Sequence, residues 1–205
     1  MKEKIQVDKL QYERALFEKG YQYIAGVDEV GRGPLAGPVV CAAVIMPLGE
    51  GEIIDGVDDS KKLSEKKREK LAKEIKERAL CYSIFEVSEK EIDEINILEA
   101  TKKGMREALL GLSIKPDMVL TDGNMTLNIP FKQVSVVHGD ALSYSIGAAS
   151  IIAKVYRDHL MDEYAKIYPE YLFEKNKGYG TAAHIAAIKE KGLCPIHRRT
   201  FTKKF

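Results

Sequence analysis

The stretch "IAGVDEVGRGPLAGPVV", Ile24 to Val40, decides how the rest of the chain is read. Val, Ile and Ala dominate its two ends, as strands require, and glycines at 31, 33 and 37 put a loop between them. "GRGPLA" also satisfies the dinucleotide pattern G-x-G-x-x-G/A, but that motif must open a helix. Here Pro34, Pro38 and the β-rich run "VVCAAVIM" follow instead, so no nucleotide cofactor is expected. The first strand ends on adjacent acids, Asp28 and Glu29. Neighbouring side chains of a regular strand point to opposite faces, so the two share a destination only where the strand bulges or finishes. Gly31 and Gly33 make such a departure easy.

Outward from this unit the pattern alternates. Residues 8 to 19 predict a short helix closed by Gly20. Strands are predicted from Tyr21 to Val30 and from Pro38 to Met46, then a helix over "SEKKREKLAKEIKERA" with Ser64 as N-cap. "LCYSIFEV" (80 to 87) reads as a strand, and Ser88 with Glu91 as a capping box. Asn96 with Glu99 repeats that start signal before an amphipathic helix carrying Leu98, Thr101, Met105, Ala108, Leu109 and Leu112 on one side. "DMVLTD" (117 to 122) and "FKQVSVV" (131 to 137) predict strands. "ALSYSIGAASIIAKVYRDHLMDEYA" predicts one long helix buried against the sheet, and a last helix starts near Thr181. No repeat or linker intervenes, so residues 21–205 read as one mixed α/β domain and residues 1–20 as a short helical extension.

Four acids fall at the ends of these elements: Asp28, Glu29, Asp122 and Asp140. Carboxyl ends of strands are where α/β sheets collect chemistry, and three of the four occupy such ends. Gathered carboxylates repel one another unless cations neutralise them, and oxygen ligands without His or Cys suit Mg²⁺ or Mn²⁺ rather than zinc. Taken singly, Asp140 at a helix start reads first as an N-cap, and Asp122 in "TDGN" as a turn residue. Asp158 is the rival for the fourth place. On a single helix it would stand roughly 27 Å from Asp140, and metal pairs are only ~4 Å apart. Asp140 is favoured because a helix start borders the sheet edge, whereas Asp158 follows Arg157 and is expected to pair with a base.

A chain of 205 residues, 45% hydrophobic and 31% charged, suits one globular domain. Its net charge of +1 hides a basic C-terminal segment in which Lys189, Lys191, Arg198, Arg199, Lys203 and Lys204 face one acid, Glu190. That segment reads equally as a phosphate-contacting surface and as a solvated tail. Cys41, Cys81 and Cys194 lack metal or disulfide spacing and suit a reducing, cytoplasmic setting. The charged N-terminus does not resemble a signal peptide, and no apolar run is long enough to span a membrane. The four histidines, at 138, 159, 184 and 197, show no metal-ligand spacing and are expected at the surface or at helix ends.

The ordered set "GVDEVGRGPLAGPVV", "DDSKKLS", "INILEAT", "TDGN", "HGDALSYSIGAASIIAKVYRD", "NKGYGT" and "CPIHRR" resembles ribonuclease HII, from about Tyr21 to Arg199. The resemblance implies a ribonuclease H-like fold, a five-stranded mixed sheet flanked by helices with a C-terminal helical segment. It implies a metal-dependent endoribonuclease that acts on RNA/DNA hybrids and on duplex DNA containing single ribonucleotides, using two Mg²⁺ or Mn²⁺ ions. The family's acidic tetrad falls on Asp28, Glu29, Asp122 and Asp140. Its GRG element, which senses the ribose 2′-OH, falls on Gly31, Arg32 and Gly33, and its paired tyrosine on Tyr179. Its phosphate-side lysine falls on Lys61, with Lys62 a solvent-facing neighbour. Ribonuclease HIII carries GKG in place of GRG, so Arg32 points to HII. A monomer is expected. The competing readings are another two-metal nuclease of the same fold and a non-catalytic nucleic-acid-binding module.

Overall fold

Unbroken runs of Val, Ile and Ala make strands that are buried on both faces, and the two runs either side of the glycine loop become the centre of the sheet. In the computed structural model, which describes residues 8–205, these are β1 (Ile24–Val30) and β2 (Val39–Ile45), paired antiparallel. β3 (Cys81–Val87) lies antiparallel outside β2. On the other side, β4 (Met118–Asp122) and β5 (Gln133–Val136) run parallel to β1. The order β3-β2-β1-β4-β5 is the expected five-stranded mixed sheet.

Helices cover both faces. On one side Val40, Ala42 and Val44 pack with α2 (Glu65–Arg78) and α5 (Tyr144–Ile167). On the other, Cys41, Ala43 and Ile45 pack with α3 (Glu89–Leu110). α3 bends at Asn96, whose φ is +67° and whose side chain accepts from the N–H groups of Leu98 and Glu99, so the second start signal is real. Leu98 is exposed rather than on the packed side, while Thr101, Met105, Ala108, Leu109 and Leu112 are buried as expected.

The long helix predicted from Ala141 is in fact two. α4 (Gly139–Leu142) is a single turn, and Ser143 leaves the helical region with φ −120° and ψ 132°, then caps α5 by accepting from Ile146 N–H at 3.2 Å. The break lets Asp140 leave the axis that Asp158 rides on. Beneath it, β1 meets the start of α5 without a spacer. A Cβ at Gly26 would stand 2.1 Å from the Ser145 carbonyl carbon, so only glycine fits.

The remaining N–H groups of α5's first turn are satisfied by α1 (Gln11–Phe17), which Gly20 closes in a left-handed conformation, and by Lys9 just before it. Tyr144 N–H donates to Lys9 O at 2.8 Å, and Ser145 N–H to Glu13 Oε1 at 2.9 Å; Ser143 Oγ also donates to Glu13, at 2.6 Å. Glu13 is fully buried and caps a helix other than its own. Glu13→Ala is therefore expected to cost ~2 kcal/mol, a Tm lower by about 4–8 °C in thermal denaturation, with Glu13→Gln losing less because an amide oxygen still accepts. An unchanged Tm in the alanine variant would refute the capping role.

The last part of the chain packs α6 (Phe173–Asn176) and α7 (Ala182–Lys191, capped by Thr181) against α5 and the glycine loop. The cysteines are free, and no helix among the described residues is long and apolar enough to cross a membrane.

Candidate active site

β1 does not bulge. Its register with β2 runs regularly through Asp28↔Ala42, Glu29↔Cys41 and Val30↔Val40. Convergence has a different cause: the ladder between β1 and β4 ends at Val27↔Thr121, one step before the acids. By its pairing with Ala42, Asp28 faces the α5 side, and by its pairing with Cys41, Glu29 faces the α3 side; Asp122, the last residue of β4, stands beside the freed strand where its charge reaches both. Asp122 Oδ1 accepts the Gly139 N–H at 2.6 Å, which ties the end of β4 to the turn that carries Asp140. Asp140 is not an N-cap, since His138 occupies that position of α4 and Ser143 that of α5.

Three of the four acids, Asp28, Glu29 and Asp140, have the electrostatics of a site short of positive charge. Burial first, then the charges of Glu29 and Asp122, push the Asp28 carboxyl well above its usual range, against the Ser150 hydroxyl and the Glu29 N–H that stabilise its anion. Glu29 is raised by burial even though Arg32 Nη1 stands 3.4 Å from its Oε1. Asp140 is raised by burial, Asp122 and Asp59, with Lys61 opposing. Lys61 Nζ lies 3.4 Å from Asp140 Oδ2; burial disfavours its charge, but Asp140, Asp59 and Asp28 outweigh that and hold its pKa up.

The acids are not drawn up to contact. Among the described residues, no three Asp, Glu, His or Cys side chains are close enough to enclose an ion. The fit to a hard divalent cation lies in the oxygen-only donor set and in the charge deficit: Asp28 is 4% exposed and Asp140 7%, and like charges raise both. Asp158 is elsewhere. It pairs with Lys154 and with Arg68, not with Arg157.

Gly31, Arg32 and Gly33 follow directly on β1. Gly31 has φ +92°, and a Cβ there would stand 2.3 Å from Arg157 Nε, so both backbone and space demand glycine. A Cβ on Gly33 would have one neighbour within 4 Å, Tyr179 Cε1 at 3.6 Å. The GRG and GYG loops thus meet, as the two motifs predict only if the chain brings them together. Leu35 N–H donates to Gly178 O at 2.8 Å and fastens the two loops.

Two residues that the sequence reading missed hold this loop from beneath. Arg198, placed in the basic segment, is fully buried and donates to the carbonyls of Gly31 (2.6 Å), Arg32 (3.0 Å) and Gly37 (2.9 Å). Arg157 donates to Pro38 O (3.0 Å), Ala36 O (3.0 Å) and Lys177 O (2.9 Å). Burial pushes their pKa values down to about 9 and about 10, still charged at neutral pH. Arg157 was detectable, since it shares the i, i+4 spacing of the buried Ala153 and Met161. Arg198 gave no signal. His197 is buried, against the expectation for the histidines; His184 is buried too but lies in the first turn of α7, a helix end as expected, and His138 and His159 are exposed as expected.

Comparison with known proteins agrees with this geometry. A family model described as Ribonuclease HII matches residues 25–204. The chain is 58% identical over 196 residues to Ribonuclease HII of Ruminiclostridium cellulolyticum, covering 96% of this chain and 76% of that protein. It is 54% identical over 193 residues to Ribonuclease HII of Caldanaerobacter subterraneus, covering 94% and 79%. Among solved structures, it matches ribonuclease H2 from Pyrococcus horikoshii with TM-score 0.73 and 31% identity over 88% of this chain and 95% of that one. The RNase HII of a PCNA complex from Archaeoglobus fulgidus matches with TM-score 0.76 and 27% identity, over 89% and 95%. Matches of this extent leave one reading of the acid-edged sheet and its glycine loop: the chain belongs to the ribonuclease HII family, divalent-metal-dependent endonucleases that cut the RNA strand of RNA/DNA hybrids.

Proposed function

We propose that the protein cuts on the 5′ side of a ribonucleotide, including a single ribonucleotide embedded in duplex DNA, and leaves 3′-hydroxyl and 5′-phosphate ends. The observation that carries this is the meeting of the two glycine loops at the end of the strand that bears Asp28 and Glu29: Leu35 N–H donates to Gly178 O at 2.8 Å, and a Cβ on Gly33 would stand 3.6 Å from Tyr179 Cε1. Asp28, Glu29, Asp122 and Asp140 would hold two divalent ions, Mg²⁺ or Mn²⁺. When bound, these supply the charge that activates the attacking water and stabilises the departing 3′ oxygen.

The chain's own groups do the selecting. Arg198 draws the carbonyls of Gly31 and Arg32 inward, and in a trans peptide the N–H points opposite to the C=O. The N–H groups of Arg32 and Gly33 are therefore aimed outward, where they can donate to a ribose 2′-OH, the group that separates RNA from DNA. The Tyr179 ring, 46% exposed, would lie against the deoxyribose that follows and favour the junction. Lys61 is exposed enough to turn from Asp140 to the scissile phosphate. Arg32 and the exposed Lys189, Lys191, Arg199, Lys203 and Lys204 would hold phosphates without reading sequence.

A duplex with one ribonucleotide, incubated with Mg²⁺ and separately with EDTA, tests this. One nick 5′ of the ribonucleotide, abolished by EDTA, is expected; cutting of long hybrids alone would overturn the embedded-ribonucleotide reading. Tyr179→Ala is expected to lose about tenfold more activity on the single-ribonucleotide duplex than on a long hybrid, the size of one stacking contact. Equal losses would remove Tyr179 from selection.

A further inference from the structure

The mechanism leaves unused a buried group behind the Tyr179 loop. His184, fully buried on the first turn of α7, and His197, 3% exposed in the C-terminal segment, place their Nε2 atoms 3.0 Å apart. Tyr171 and Phe173 pack around both rings, at centroid distances of 4.8–6.1 Å.

The hydrogen bonds fix which nitrogens carry protons. His197 Nδ1 is approached by two donors, the Cys194 N–H at 2.9 Å and the Cys194 thiol at 3.0 Å, while the one acceptor near it, Cys194 O, is farther at 3.3 Å. Nδ1 is therefore the acceptor, and the proton sits on Nε2. His197 Nε2–H must then donate to His184 Nε2. That leaves His184 Nδ1 protonated, and it donates to the Tyr179 carbonyl at 2.9 Å. Two neutral rings are the only way to make every bond in this line: a proton added to His184 sets N–H against N–H between the rings, and one added at His197 Nδ1 sets N–H against the Cys194 N–H. Burial and the neighbouring His184 ring hold the His197 pKa down at about 4, and burial lowers that of His184 as well.

The line ends on the backbone of the residue whose ring faces Gly33. Tyr179 N–H already donates to Asn176 O at 2.8 Å, and its carbonyl also accepts from Thr181 N–H at 2.8 Å. Gly178 N–H is held by Asn176 Oδ1 at 2.8 Å. We propose that His184 and His197 are positioning residues: a one-directional line of hydrogen bonds from Cys194 to the Tyr179 carbonyl fixes where the Tyr179 ring meets the nucleic acid, and so sharpens the preference for a ribonucleotide junction. This rests on the reading of Tyr179 given above.

Two measurements test it. ¹⁵N spectra of the histidine rings in the full chain at pH 7 are expected to show His184 as the Nδ1–H tautomer and His197 as the Nε2–H tautomer; reversed tautomers or a charged ring would overturn the line. In kinetics, His184→Asn keeps a donor where Nδ1–H stood, whereas His184→Phe fills the aromatic cage without one. The ratio of kcat/KM on a single-ribonucleotide duplex to that on a long hybrid is expected to fall about three- to tenfold in the Phe variant, the effect of one hydrogen bond, and to stay within about twofold in the Asn variant. A structural role alone would lower both substrates together, and an unchanged ratio in His184→Phe overturns the proposal. Tyr179→Ala, measured in parallel, separates the two ideas. A ratio that falls there and not in His184→Phe refutes the histidine pair alone, and one that does not fall there refutes the Tyr179 reading.

Discussion

Asp28→Asn is expected to lower cleavage of an RNA/DNA hybrid by roughly 10²–10³-fold or more, the usual cost of removing a charge aimed at the reacting centre, and at the same time to raise the Tm of the metal-free protein. The two effects share one cause. Asp28 is held in a buried position beside Glu29 and Asp122, an arrangement that disfavours its anion. Asparagine keeps an oxygen for the Glu29 N–H, which Asp28 Oδ1 accepts at 2.8 Å, and discards the charge. Each unit by which a folded pKa exceeds the unfolded one is worth about 1.4 kcal/mol against the ionised fold, and at this chain length 1 kcal/mol moves Tm by about 2–4 °C.

The sign in pH follows from linkage. A carboxyl whose folded pKa is raised gives its full stabilisation below its unfolded value of about 3.9 and loses it as pH rises through the folded pKa. Glu29 and Asp140 are raised too, so they act in the same direction. The metal-free wild type should lose Tm as pH climbs from about 4, and Asp28→Asn should show a shallower fall. Added Mg²⁺ should raise the Tm of the wild type and have much less effect on the variant. An Asn variant that still cleaves, or that melts below the metal-free wild type, would remove Asp28 from the metal-holding role and leave it a structural acid.

What could be read from the sequence follows how local each signal is. Strands, caps and helix starts are written within a few residues, and Ser64, Ser88, Asn96 and Thr181 all cap as expected. The break at Ser143 was hidden because Gly, Ala and Ser on both sides continue a helical composition, while the reason for it, the Lys9 and Glu13 groups that satisfy α5, lies more than 130 residues away. The missing bulge in β1 has a similar origin. Where a ladder ends depends on the partner strand, and β4 stops at Asp122 because Gly123 follows with φ +80°. Charge was the least legible property. Arg198 and Arg199 are adjacent and chemically alike, yet one is buried among carbonyls and the other is exposed.

That contrast leads to the largest stability effect expected in the molecule. Arg198→Ala removes three hydrogen bonds to the carbonyls of Gly31, Arg32 and Gly37 and takes from all three their buried charged donor. Bonds to a charged donor contribute about 1.5–3 kcal/mol each but are not additive, so a loss of about 3–5 kcal/mol is expected. Tm would fall by about 6–20 °C. Among the described residues neither Arg198 nor Arg157 has a carboxylate at salt-bridge distance; their charge is solvated by the carbonyls of residues 31–38 and of Lys177, and Arg198 also lies 5.2 Å over the Phe201 ring. Without the fork, the peptide planes of the GRG loop are free to turn, and their N–H groups lose the outward aim that a 2′-OH requires. Arg198→Lys should recover little, because a point-like ammonium cannot span three acceptors. Both variants should therefore lose discrimination between ribonucleotide and deoxyribonucleotide beyond what their lower Tm explains, measured well below the melting transition. A lysine variant with wild-type Tm and wild-type selectivity would show that the loop holds its own shape.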